Sequence, residues 1–335
     1  MNESSIRKRP LGRTGLEVTE VSVGGFFFDE ATGTKREEAV RAIHRALDLG
    51  VNCFDTAPYY GTSQEILGEA LAAREEDHIL TTKCGRFDWK TGPYRELDAF
   101  KIQLEESLKL LRRESVDVLF LHEADWPVYW EELEIPRPNR VLDVKGTYDY
   151  EDSAALIFLR WAREQGLAKH VGLSGNNSHL LAKLIREIDL NIEVVLVAFQ
   201  YDPIWRNARQ YLLPLTSERG VGVVLGAPLQ QGRLVEPHEE WLRDPPAWMG
   251  DETRERFRAL YEIRRDAGLT LPELVLRFLL ADPDICTISA GVSTVEQLEK
   301  NVRCTQAAPL PDEIHSRIEA LGRLYPGIYR NNARR

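Results

Sequence analysis

Short apolar runs alternate along the chain with amphipathic stretches of helical period. Val21-Ser22-Val23-Gly24, Val51-Asn52-Cys53-Phe54-Asp55, Ile79-Leu80-Thr81-Thr82-Lys83 and Val116-Asp117-Val118-Leu119-Phe120-Leu121-His122 read as four strands. The last is nearly continuous in apolar residues, as expected of a strand buried on both faces of a parallel sheet. Four more strands are predicted at 171–174, 194–199, 221–227 and 287–290. Between the runs, Val40, Ile43 and Leu47 share one helical face, as do Phe100, Leu104, Leu108 and Leu111. Thr34-Lys35-Arg36-Glu37 has the spacing of a capping box. Ser63 is placed to cap a helix over 64–71, and Gly50, Gly166, Gly220 and Gly268 stand where helices end in a left-handed residue.

Eight strands, each followed by a helix, predict an α/β fold of the closed (β/α)₈ or TIM-barrel class, as one domain over residues 1–335. No GxGxxG follows the first strand, which speaks against an open doubly wound sheet. Two long segments break the rhythm, about 123–152 after the fourth strand and about 229–251 after the seventh. Both follow C-terminal strand ends, the face where barrel enzymes build their sites.

Composition then narrows the function. Of 335 residues, 43% are hydrophobic and 29% charged, and the net charge of -10 is spread rather than gathered. No basic stripe is interleaved with aromatics, which excludes an ordinary nucleic-acid partner; Arg330, Arg334 and Arg335 read as a solvated tail end. No apolar run approaches the ~20 residues of a membrane span. The first residues lack the layout of a signal peptide. Cys53, Cys84, Cys286 and Cys304 show neither CxxC spacing nor a ligand cluster, so a reducing cytoplasm is expected.

Four polar residues close, or closely follow, consecutive strands: Asp55 on the second, Tyr60 five residues on, Lys83 on the third and His122 on the fourth. Neighbouring strands lie about 4.8 Å apart, so these side chains are expected at one mouth of the barrel. The combination suits hydride chemistry at a carbonyl. The oxygen that gains charge must receive a proton, and tyrosine is by itself a reluctant donor. A lysine cation held by an aspartate pulls the phenol toward working pH, and a neutral histidine can direct the substrate oxygen. Taken singly, each residue is as well explained by a structural ion pair or a satisfied core histidine; their convergence carries the functional reading.

At these residues the chain resembles the aldo-keto reductases. Leu11-Gly12-Arg13-Thr14-Gly15-Leu16-Glu17-Val18 looks like that family's N-terminal hairpin. Phe54-Asp55-Thr56-Ala57-Pro58-Tyr59-Tyr60-Gly61, then Glu65, Leu67-Gly68-Glu69 and Leu71, is similar to its most diagnostic stretch. Thr82-Lys83, Asp117 and Leu121-His122 follow in the same order, and the likeness runs on to Asn301. The resemblance implies catalytic roles for Asp55, Tyr60, Lys83 and His122 and a nicotinamide cofactor at the mouth. Cofactor contacts carry over to Ser174, Pro228, Leu229, Gly291, Ser293, Thr294, Gln297 and Asn301. Asn176 and Gln200 are candidates for amides that the common pattern places one or two positions earlier, at Gly175 and Ala198. Gly226 stands where many members carry a stacking tyrosine, which points toward the sugar-dehydrogenase branch.

Cofactor choice pulls two ways. The usual cationic positions for a ribose 2′-phosphate hold Gly291 and Gln297, with Lys300, Arg303 and Arg233 as substitutes. The Ser-Thr-x-x-Gln-x-x-x-Asn pattern nevertheless occurs in NADP(H)-binding members, so NADP(H) is favoured over NAD(H). Phe26, Tyr59, Trp89 and Trp126 are the expected substrate walls, with Phe27, Tyr129, Trp130, Tyr201, Trp205, Arg206 and Arg86 as further loop candidates. A small carbonyl or sugar partner is expected. The alternative is a cofactor-binding regulatory module of the same fold with slow or no turnover.

Overall fold

The computed structural model describes residues 6–88, 92–131 and 143–324. A hairpin of β1 (Lys8–Pro10) and β2 (Glu17–Thr19) precedes the barrel. The barrel strands are β3 (Val21–Gly24), β4 (Cys53–Asp55), β5 (Ile79–Cys84), β6 (Val116–Leu121), β7 (Ala168–Gly175), β8 (Val194–Ala198), β9 (Gly222–Gly226) and β10 (Thr287–Gly291). All eight pair in parallel, and β10 returns to β3, closing the (β/α)₈ barrel. Helices α1 (Arg36–Asp48), α2 (Ser63–Ala72), α3 (Leu97–Leu111), α4 (Ala154–Glu164) and α5 (Ser178–Glu187) alternate with the strands. They are followed by α6 (Asn207–Tyr211), α7 (Leu213–Arg219), α8 (Asp251–Ala267), α9 (Leu271–Leu280), α10 (Val295–Gln306) and α11 (Asp312–Leu321). No helix among the described residues is long and apolar enough to cross a membrane.

The period-2 alternation of the strands sorts their side chains into two cores. Phe54, Leu80, Leu119, Leu121, Val195, Val197 and Leu225 pack outward under the helices. Cys53, Ile79, Val118, Phe120, Val194, Leu196 and Val224 form a separate inner cluster with Leu11 and Val18 of the hairpin. The hairpin thus plugs the floor. Continuing the inner parity toward the C-terminal strand ends brings Asp55, Lys83, His122, Ala198 and Gly226 to the opposite mouth.

Two expected helix caps are replaced. α1 begins at Arg36, so Lys35 is the cap residue, and the Thr34 hydroxyl is buried without a partner. That start puts Glu38 three residues past the cap, and its carboxylate accepts from Val295 N–H of α10 (3.2 Å) rather than from the N–H of its own cap residue. Ser63 lies inside α2, where its hydroxyl bonds Thr56 Oγ1 (2.8 Å). A reciprocal capping box forms instead at Thr270 and Glu273 of α9. Gly50, Gly166, Gly220 and Gly268 all have positive φ at helix ends. Both long loops are present, between β6 and α4 and between β9 and α8, the second carrying short 3₁₀ turns.

Gly12 shows how closely the plug fits. Its φ is +57°, and a Cβ there would lie 2.2 Å from Gly222 N at the foot of β9. Gly12→Ala is therefore expected to destabilise the fold by about 2–3 kcal/mol, through strain and lost hairpin docking. Thermal unfolding checks it: an unchanged midpoint would show that the hairpin is not wedged against the barrel.

Candidate active site

Asp55 and Lys83 meet at the mouth because their strands pair in a fixed register. Asp55 lies opposite Thr81, two residues before Lys83 on the same inner face. Lys83 Nζ donates to Asp55 Oδ2 at 2.6 Å and to the Thr56 carbonyl at 2.9 Å, and Thr81 Oγ1 donates to Asp55 Oδ1 at 2.7 Å. Lys83 is 1% exposed and Asp55 5%. Burial disfavours the ammonium, but the Asp55 carboxylate outweighs it and holds the Lys83 pKa above its ordinary value. Lys83 is a permanent cation.

Tyr60 sits on the turn after β4, which closes with Tyr60 N–H donating to the Ala57 carbonyl (3.0 Å). The Lys83 ammonium lies 4.7 Å from its ring centroid. The ring is partly open to the mouth, yet the phenol is desolvated enough that burial pushes its pKa up, with Lys83 pulling in the opposite direction. The sequence suggested a net downward pull; burial reverses it, and in the free protein Tyr60 is a neutral phenol. His122 is likewise neutral. Burial first, then the charges of Arg86 and Lys83, drives it well below the usual histidine range. Its ring meets Tyr60 edge-on at 5.8 Å. A neutral phenol over a cation, beside a neutral imidazole, can give a proton to one oxygen and a hydrogen bond to the same atom.

Around this tetrad stand the substrate candidates. Phe26 meets Tyr60 edge-on at 5.2 Å, Tyr59 is 47% exposed, and Trp126 is half-buried. The Arg86 guanidinium stacks 3.7 Å over Tyr59, faces Trp126 at 5.4 Å and pairs with Glu123 (2.9 Å). Trp89 lies outside the described residues. Tyr129 and Trp130 are fully engaged in holding the loop, through Tyr129 Oη to the His122 carbonyl (2.7 Å) and Trp130 Nε1 to the Ala124 carbonyl (2.7 Å). Tyr201 and Arg206 point away, to Asp282 (2.6 Å) and to the Ile318 carbonyl (3.2 Å). Trp205 is buried, and its N–H donates to Asp202 (3.0 Å).

The cofactor candidates fall into two groups. Ser174 closes β7, its hydroxyl donating to the Leu121 carbonyl (3.1 Å) and accepting from Glu123 N–H (3.3 Å). Asn176 Nδ2 donates to Glu123 Oε1 (3.0 Å), and Asn176 N–H donates to Asp125 Oδ2 (2.9 Å). Gln200 does not continue the inner face. Phe199 takes a positive φ and turns the chain, and the side-chain amide oxygen of Gln200 accepts from the Ser178 hydroxyl at the start of α5 (3.2 Å). Gly226 lies beside Ala198, and a Cβ there would come 3.1 Å from Leu196 and 3.3 Å from Ala198. Pro228 and Leu229 follow it in the loop.

The second group lies after β10. Gly291 is exposed, Thr294 caps α10 by accepting from Gln297 N–H (3.2 Å), and Gln297 Oε1 accepts from Ser293 N–H (2.9 Å). Asn301 is buried one turn on.

Two carboxyls that the sequence reading passed over complete the mouth. Glu123 and Asp125 are both buried, and Glu123 Oε2 and Asp125 Oδ1 have no hydrogen-bond partner. Burial raises both, and Asp125, with Glu123 adding to the effect, is pushed up to about 7. The signal was present: two acids within three residues of a strand-end histidine.

The profile of the Aldo/keto reductase family matches residues 20–323, and the chain belongs to that family. Members of the family are oxidoreductases. It is 27% identical to L-galactose dehydrogenase of Arabidopsis thaliana, over 95% of each chain. It is 25% identical to L-glyceraldehyde 3-phosphate reductase of Escherichia coli (strain K12), over 88% of this chain and 86% of that one. Among solved structures it is similar to the holo form of aldo-keto reductase AKR11C1 from Bacillus halodurans, with a TM-score of 0.72 and 25% identity. That match covers 97% of this chain and 99% of the other.

Asp125 supplies a test of the electrostatics. Its folded pKa lies above that of an unfolded aspartate, so its contribution to stability is full below about pH 4 and is lost as pH rises through about 7. The wild-type unfolding midpoint should therefore fall between pH 5 and pH 8 more than that of Asp125→Asn, which keeps an acceptor for Asn176 and never ionises. Parallel profiles for the two proteins would remove Asp125 from this account.

Proposed function

We propose that the protein is an NAD(P)-dependent oxidoreductase acting on a small aldehyde, ketone, aldose or related sugar. The observation that carries the reading is the buried Lys83–Asp55 pair set under Tyr60 with neutral His122 beside it. The residues fit a nicotinamide dinucleotide on two grounds of this structure. Gly226 and Ala198 leave the mouth without bulk where the ring would lie, and the loop after β10 opens onto the N-terminus of α10. Ser174 and Asn176 would hold the nicotinamide, with Gln200 behind them at α5. Pro228 and Leu229 would flank it, and Gly291, Ser293, Thr294, Gln297 and Asn301 would hold the adenosine phosphate end. When bound, the cofactor supplies or accepts the hydride.

The remaining chemistry belongs to the chain. Tyr60 carries the proton in the free protein and is placed to give it to the substrate oxygen as that oxygen gains charge. Lys83, held charged by Asp55, stabilises the phenolate that remains. In the reverse direction the phenolate takes the proton back. His122 directs the substrate oxygen by hydrogen bond, since its low pKa keeps one ring nitrogen a donor and the other an acceptor. Phe26, Tyr59 and Trp126 present apolar faces of the kind that pack on carbonyl compounds or on the C–H faces of sugars, and Arg86 adds donors beside them.

The test is a panel of aldehydes, ketones, aldoses and polyols with reduced and oxidised dinucleotides, followed by nicotinamide absorbance. Turnover is expected with at least one class. Tyr60→Phe should lower kcat by about a hundredfold or more, leaving the dinucleotide dissociation constant within about threefold. Tight dinucleotide binding with no turnover on any class would replace this reading by that of a regulatory module. Near-normal turnover in Tyr60→Phe would remove Tyr60 as the proton donor.

A further inference from the structure

We infer that this chain selects NAD(H) over NADP(H), and that Glu38, reaching across from α1 to the N-terminus of α10, is the residue that does so. The inference rests on the dinucleotide reading above and refines it. Barrel folds commonly hold phosphate at the loops after the last strands, against a helix N-terminus whose N–H groups and dipole favour an anion. Here that place opens into a cleft of about 500 Å³, lined by Gly33, Thr34, Lys35, Glu38, Ser293 and Thr294, among others. The anion in it is the protein's own.

Two of the donors at the head of α10, and the Ser293 donors before it, are already engaged. Val295 N–H donates to Glu38 Oε1 (3.2 Å) and Gln297 N–H to Thr294 Oγ1 (3.2 Å). Ser293 gives its N–H (2.9 Å) and its hydroxyl (3.0 Å) to Gln297 Oε1. The Glu38 carboxylate also pairs with Arg41, and that pair together with the Val295 N–H keeps it below the ordinary carboxylate range. It is therefore ionised at neutral pH. A 2′-phosphate would meet this charge at close range, whereas a ribose bearing free hydroxyls can donate to it. Acidic residues discriminate in this way in other dinucleotide sites.

A second observation points to a ligand in this cleft. The Thr34 hydroxyl is buried, lines the same cleft and has no hydrogen-bond partner. A hydroxyl group, both donor and acceptor, suits a sugar hydroxyl or a base edge. Of the cations the sequence offers for a 2′-phosphate, Lys300, Arg303 and Arg233 are committed elsewhere, and Arg41, which lines the cleft, pairs with Glu38 itself. Lys300 pairs with Glu296 (2.7 Å), Arg45 with Glu299 (2.8 Å), and Arg303 faces the same Glu299 at 4.0 Å. Arg233 lies over Trp248. Lys35 is exposed at the head of α1, and the two carboxylates that follow it, Glu37 and Glu38, line the cleft with it. The preference for NADP(H) suggested by the sequence pattern is thus reversed by a residue on a distant helix.

Titration calorimetry of the full chain with NAD⁺ and NADP⁺ tests the inference. Wild type should bind NAD⁺ at least about tenfold more tightly, because like charges brought together at a binding site repel. Glu38→Gln keeps an acceptor for Val295 N–H and so preserves the α1–α10 contact. It should narrow the ratio about tenfold, chiefly by tightening NADP⁺, with an unchanged circular dichroism spectrum. The fragments 5′-AMP and 2′-AMP should show the same ordering. Tighter NADP⁺ binding by wild type, or an unchanged ratio in a folded Glu38→Gln variant, would overturn the inference and leave the oxidoreductase reading standing. Failure of both dinucleotides to bind would overturn both.

Discussion

The buried pair of Lys83 and Asp55 is the constraint around which the mouth of this barrel is organised. Two charges removed from water are costly unless each is paired and its remaining hydrogen-bonding capacity is met. The Thr81 hydroxyl and the Thr56 carbonyl meet it here, so the charges persist inside a mouth lined by aromatic rings. Loss of either partner alone would strand the other, at roughly 3–5 kcal/mol. Once the cation is fixed, its neighbours follow. The cation adds to the burial and the Arg86 charge that keep His122 neutral, and it favours the phenolate form of Tyr60 against burial.

A second charge system lies a few residues further round the mouth and serves a different end. Arg86 is shared between the Tyr59 ring and Glu123, and Glu123 in turn holds Asn176. Asp125 holds the Asn176 backbone and occupies the space beside Gly175, where a Cβ would come within 2.8 Å of its carboxyl. The departure from the common Ser-Asn pattern after β7 thereby has a steric explanation: the extra residue is glycine because an acid from the neighbouring loop fills the position of its side chain. The Tyr59 ring, the turn after β7 and the loop after β6 are tied into one network.

The fold was legible because it depends on periodicity. Short apolar-rich runs of four to seven residues and helical faces ending in glycine are local signals, and all eight strands stand within a few residues of their expected places. The tetrad was legible for the same reason, since strand parity alone sends Asp55, Lys83 and His122 to the same end. What could not be read depends on contacts between elements distant in sequence. Glu37 was expected to close a cap with Thr34, but a helix start shifted by one residue gave Glu38 to α10, more than 250 positions away. Gln200 was expected to face the mouth, but the positive φ of Phe199 broke the alternation. The Tyr60 pKa was judged from its cation alone, whereas burial, invisible to spacing, is the larger influence.

The seam between β10 and β3 has a consequence for how the molecule comes into being. Ile288 pairs with Val21, and Arg45 and Glu38 of α1 bind α10, so the first and last barrel units complete each other. Until the last strand has been synthesised, β3 keeps an unpaired edge, and that edge is a template for pairing with another chain. Closure spans nearly the whole sequence, which makes it entropically slow. The growing chain therefore passes through a long interval as an open, sticky sheet, and its yield in a cell depends on how well that interval is shielded.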